Sequence, residues 1–167
     1  FVFHTLKRSH LHIGEAIKDT FEGDADAVTL MDVGYPIYDC NVRIFDDDGK
    51  DLGEEHIGHI KIKGGNVTSG YYNNEEATRE AISADGWLDT GDLGFLRNGR
   101  LTITGRAKDV IFVAGQNFYS NDIERIAEKC EYITPGTVAA VGAFNKSTKS
   151  DELILFVVTE KSLEQFA

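Results

Sequence analysis

The sequence predicts an α+β protein in two pieces: a mainly antiparallel, β-barrel-like subdomain over residues 1–105, then a small α+β domain over residues 106–167. Three observations carry that expectation. Ile57-Gly58-His59-Ile60-Lys61-Ile62-Lys63 alternates apolar and polar side chains, the period of an antiparallel strand with one wet face. Asn98-Gly99 separates Phe95-Leu96 from Leu101-Thr102-Ile103, a strong two-residue hairpin signal. Past Arg106 the texture changes to a short apolar run at 110–113 and then a capped helical pattern from Ser120.

Taken in order, residues 1–26 carry no strong period and read as a loop. Residues 27–31 form a short apolar run, and Asn41-Val42-Arg43-Ile44-Phe45 alternates, so both read as strands. Between the second and third strands, Asp46-Asp47-Asp48-Gly49-Lys50 invites a calcium-loop reading. Neither Gly49 nor Gly53 sets a register with oxygen ligands at the first, third and fifth positions, so an Asp-Gly turn is favoured. Residues 74–82 read as a helix capped by Asn73 or Asn74, with Glu75 and Glu76 favourable in its first turn. Residues 94–104 form the hairpin. Beyond the boundary, placed between Gly105 and Asp109, come a buried strand at 110–113 and a helix from Ser120 to about Glu131. Two further strands follow at 137–144 and 152–159, and Ser162 is a candidate cap for a last helix.

Composition excludes several functions. A net charge of −11 argues against nucleic-acid binding, which needs clustered Lys and Arg to neutralise phosphates. No apolar run approaches the roughly 20 residues that span a bilayer, and the start carries no signal peptide or basic targeting stretch. Cys40 and Cys130 stand far apart without a CxxC pair. Reduced thiols in a cytoplasmic setting are the favoured reading, with a bridge as the alternative. His10-x-His12 and His56-x-x-His59 lie near no cysteine, so no metal site is expected. Residues 64–70 superficially resemble a phosphate loop but lack the Gly-Lys-[Ser/Thr] ending, so a connecting loop is favoured. The chain opens on Phe1-Val2-Phe3-His4, and its single methionine is Met31, so it reads as a piece of something longer.

The chemistry concentrates in Gly86-Trp87-Leu88-Asp89-Thr90-Gly91-Asp92-Leu93 and Gly105-Arg106-Ala107-Lys108-Asp109. These segments set a carboxylate, Asp92, and a guanidinium, Arg106, on Gly-containing turns with a hairpin between them. An acid accepting from two neighbouring hydroxyls, beside a forked cation, is a workable grip on a ribose. On residue types alone, two ordinary turns with solvated charged residues are the favoured reading.

At this separation the two segments resemble the adenylate-forming superfamily of acyl-CoA synthetases, peptide-synthetase adenylation domains, luciferases and fatty acyl-AMP ligases. Three further stretches fit in order: Gly34-Tyr35-Pro36, then residues 58–64 with Gly70-Tyr71-Tyr72, then Asn117-Phe118-Tyr119-Ser120-Asn121-Asp122-Ile123-Glu124. The last is most similar to fatty acyl-AMP ligases, although Gln116 and Ser120 depart from that pattern.

The resemblance implies an incomplete adenylate-forming fold, the end of a large adenylation domain followed by part of a swinging C-terminal lid. It implies a parent enzyme that uses ATP and Mg²⁺ to activate a small carboxylic acid, a fatty acid on this reading, as its acyl-adenylate. The acceptor would be the phosphopantetheine of an acyl carrier protein or peptidyl carrier domain, or else CoA. The resemblance assigns Asp92, Arg106 and Thr90 to the nucleotide, Lys108 to the hinge and Gly115 to a loop at the pantetheine channel. The family's phosphate loop and its catalytic lysine have no counterpart in these 167 residues, so no catalytic residue is expected here and the chain alone should not form adenylates. A docking module that keeps the fold without the chemistry is the other reading.

Overall fold

The alternation at 57–63 becomes the strand it implies, and five more strands gather beside it. The computed structural model describes residues 2–113, 116–145 and 150–158. Contacts divide the chain into two units, Phe1–Ala107 and Lys108–Ala167.

In the first unit the strands are β1 (Phe3–Lys7), β2 (Ala27–Gly34), β3 (Cys40–Phe45), β4 (Gly58–Gly64), β5 (Leu88–Arg97) and β6 (Arg100–Arg106), with helix α1 (Glu75–Ala81) between β4 and β5. They form one sheet in the order β1-β2-β6-β5-β4-β3. Every ladder in it is antiparallel. The α+β class therefore holds, but the sheet is not a closed barrel. Among the described residues no ladder joins β1 to β3. Irregular segments meet those two end strands instead, through isolated bridges at Leu6–Asp19 and Phe45–Asp51, and a third bridge at Ala16–His56 joins two such segments.

Strand β1 corrects the expectation of a loop over residues 1–26. Its alternation was masked because a polar residue takes an inward place: His4 and Leu6 are buried while Phe3 faces out. The core gathers Leu6, Ile44, Ile57, Ile60, Leu93 and Phe95. Burial of each such side chain is worth about 1.5–3 kcal/mol. Asp32 enters this core as an ion, its side chain only 1 % exposed. Arg100 Nε donates to its Oδ2, and Nη2 to Oδ1 at 2.8 Å, a fork on a carboxylate. That guanidinium holds the Asp32 carboxyl below its usual value.

The hairpin β5–β6 turns on Asn98 and Gly99, both with positive φ (52° and 73°), as a two-residue loop of matching twist requires. The Glu54 carboxylate accepts from both turn amides at 2.9 Å. Helix α1 starts where expected: the Asn74 side chain accepts from the Ala77 amide at 3.0 Å. The Asp46 turn is also as expected, its carboxylate accepting from the amides of Asp48 and Lys50.

The second unit holds β7 (Val110–Val113), β8 (Gln116–Tyr119), α2 (Ser120–Ala127), β9 (Val138–Asn145) and β10 (Ser150–Val157). Strands β7 and β8 pair antiparallel, as do β9 and β10. Strand β8 was not anticipated, and α2 stops at Ala127 rather than near Glu131. After it, Glu128 turns its carboxylate to the Gly136 amide at 2.5 Å, which holds the following loop. Glu124 accepts from the Ala140 amide at 2.9 Å and so ties α2 to β9. Ser120 is the first helical residue, not a side-chain cap. The expected cap at Ser162 lies outside the described residues.

Candidate functional site

Two irregularities in the sheet build the site. Along β4 and β5, His59 faces Leu93 and Lys61 faces Asp89. Thr90, Gly91 and Asp92 therefore stand opposite the single residue Ile60, and β5 bulges there. Along β5 and β6, Leu93 faces Gly105 but Gly94 faces Ile103, so Thr104 is an extra residue in β6. That insertion moves the register by one and sets Asp92 opposite Arg106 rather than Gly105. Bulges re-aim side chains in this way and gather beside functional sites.

Arg106 Nε lies 3.3 Å from Asp92 Oδ1, with Asp92 26 % and Arg106 65 % exposed. The second carboxylate oxygen has no partner among the described residues, so it remains available to a hydroxyl. Gly94 permits the tight packing beneath, since a Cβ there would stand 2.2 Å from the Thr102 carbonyl oxygen.

The bulge is held by its own side chains. Thr90 Oγ1 donates to the Ile60 carbonyl at 3.0 Å and accepts from the Asp92 amide at 3.1 Å. Asp89 Oδ1 accepts from the Gly91 amide at 2.9 Å, and Gly91 sits at φ 74°. Lys61 Nζ stands 3.9 Å from the other Asp89 oxygen. Upstream, Trp87 packs edge-on against Phe45, with Arg43 and Lys63 over its ring at 5.3 and 5.9 Å. Asp89 and Lys61 were missed in the sequence. The Asp-x-Gly spacing, which favours a side-chain-to-amide turn, was the available signal.

Lys108 lies in a single 3₁₀ turn, Ala107–Asp109, directly after β6. In the second unit it lines a cavity of about 350 Å³ together with Asp109, Ile111, Ser120 and Gly142. Gly115 lies outside the described residues. Among the described residues no group of three His, Cys, Asp or Glu side chains is placed to hold a metal ion. Cys40 and Cys130 are both free thiols. No helix among the described residues is long and apolar enough to cross a membrane.

Known proteins resemble this chain in sequence and in fold. A Caulobacter vibrioides (strain NA1000 / CB15N) protein that carries an acyl-CoA synthetase name is 37 % identical over 154 residues, covering 92 % of this chain and 27 % of its own length. The adenylation, ketoreductase and pseudo-Asub structure of a keto acid-selecting NRPS module matches 94 % of this chain and 13 % of its own, at 39 % identity and a TM-score of 0.83. A structure from work on fatty acyl-adenylate ligases of E. coli and L. pneumophila matches 98 % of this chain and 29 % of its own, at 32 % identity and a TM-score of 0.81. No protein-family model matches. This chain belongs to the adenylate-forming, AMP-binding superfamily of ligases. It spans about a quarter of the length of the curated relative it matches.

Proposed function

We propose that this chain supplies the ribose grip of an ATP-dependent acid ligase that activates a carboxylic acid as its acyl-adenylate. The observation that carries the reading is the convergence of Asp92 and Arg106 across the β5–β6 hairpin, with one carboxylate oxygen open. In the reaction, an oxygen of the substrate carboxylate bonds to the α-phosphorus of ATP while the bond to pyrophosphate breaks. Asp92 accepts from the ribose hydroxyls and fixes the nucleoside, so that the α-phosphorus stays in line with the attack. Arg106 lies beside Asp92 and donates toward the same sugar. Lys108 is the hinge about which the second unit changes orientation between adenylation and transfer, a role that backbone torsions perform.

The acid is a fatty acid, and the acceptor is a phosphopantetheine carrier. Support comes from the neighbours: one is an NRPS module, and another belongs to work on fatty acyl-adenylate ligases. A second reading takes CoA as acceptor and is favoured by the acyl-CoA synthetase name of the Caulobacter relative. The test is ATP–pyrophosphate exchange by the full-length protein with a panel of fatty acids. Acid-dependent exchange that Asp92→Ala abolishes is expected, and exchange unaffected by Asp92→Ala overturns the assignment. Thioester formation with a holo carrier but not with CoA distinguishes the two acceptors.

A further inference from the structure

We infer that Thr90 is a positioning residue that aims Asp92, and that its hydroxyl does not contact the nucleotide. The inference rests on Asp92 as the ribose acceptor. It starts from a backbone deficit. Where three residues of β5 oppose one residue of β4, the ladder cannot satisfy every amide and carbonyl. At the bulge, Thr90 Oγ1 donates to the Ile60 carbonyl and accepts from the Asp92 amide. A hydroxyl has one proton, and here it goes to the Ile60 carbonyl of β4. The Asp92 amide is thereby fixed on the same oxygen. Thr90 thus links the rigid Ile60 backbone, whose side chain sits in the core, to the backbone of the acid that reaches outward. Asp89 performs the matching task for the Gly91 amide. The Asp92 side chain has only two torsions of its own, so fixing its backbone fixes most of its aim.

The test compares adenosine 5′-monophosphate with its 2′,3′-dideoxy analogue, titrated into the chain and into variants. Thr90→Val keeps the shape and removes the hydroxyl, whereas Thr90→Ser keeps it. The wild type prefers the monophosphate; Thr90→Val lowers that preference by about tenfold, and Thr90→Ser retains it. In an Asp92→Ala background Thr90→Val has no further effect, because it acts through the acid. Additive losses in this cycle, or an equal loss for both ligands, would mean that Thr90 touches the ligand directly and would overturn the inference. Hydrogen exchange at the Asp92 amide reads the brace without any ligand: it accelerates about tenfold in Thr90→Val and stays slow in Thr90→Ser. Unchanged exchange refutes the brace. A wild type that binds neither ligand refutes the ribose reading alone, and the exchange measurement still decides the brace. Should Thr90→Val not fold, Asp89→Ala, which frees the Gly91 amide, carries the same ligand comparison and the same expected direction.

Discussion

Asp92 has one carboxylate oxygen near a guanidinium and the other open, and the two consequences separate cleanly. The pair with Arg106 is largely solvated on the arginine side. Exposed pairs contribute about 0–1 kcal/mol, so Arg106→Ala leaves unfolding free energy within about 1 kcal/mol of wild type. Its loss falls on adenosine monophosphate affinity, weakened about tenfold, which a paired denaturant melt and ligand titration would show. A larger cost in stability would make Arg106 a structural residue. Gly91 behaves in the opposite way. At φ 74° a side chain is strained even though nothing crowds the position. Gly91→Ala therefore destabilises by about 1–2 kcal/mol in a denaturant melt. An unchanged midpoint would show that the bulge relaxes freely.

At the scale of elements, the hairpin β5–β6 supplies both the core and the site. Phe95 points into the core three residues beyond Asp92, and its ring meets His4 edge-on at 5.6 Å. Phe95→Ala should cost about 3–5 kcal/mol by urea unfolding, and a cost below 1 would mean that the sheet repacks around the cavity. The hairpin was legible in the sequence because Asn98-Gly99 admits few other backbones. Strand β4 was legible because its isoleucines alternate with His59 and Lys61. Strand β1 was not, since His4 faces inward and Phe3 outward, the reverse of a wet-face pattern. Strand β8 was hidden because its four residues, two polar followed by two aromatic, show no period of two. The proximity of Asp92 and Arg106 was expected from the motif, but its cause was not. The inserted Thr104 shifts the register, and a bulge leaves no mark in hydrophobic period.

Across the whole molecule, acid is the strongest lever on stability. The chain carries −11 net charges and has a pI of about 4.8, and one of its carboxylates, Asp32, is buried against Arg100. Because the hydrogen bond and charge of Arg100 lower the folded-state pKa of Asp32, folding favours its ionised form. That contribution is complete above the unfolded value of about 3.9 and is lost as the pH falls through the depressed folded value. Wild type therefore loses stability steeply below about pH 4. Asp32→Asn is less stable at neutral pH, because it strands a half-buried guanidinium, but its stability falls less on acidification. Parallel acid profiles for the two proteins would show that Asp32 is not the coupled group.

The most direct measurement is a ¹H–¹⁵N titration of this chain with adenosine 5′-monophosphate. The expected affinity is millimolar, on the order of −4 kcal/mol. Saturable shifts should gather at residues 89–93 and 104–106 and vanish in Asp92→Ala. Shifts scattered away from the β5–β6 hairpin, or a titration that Asp92→Ala leaves intact, would contradict the ribose grip.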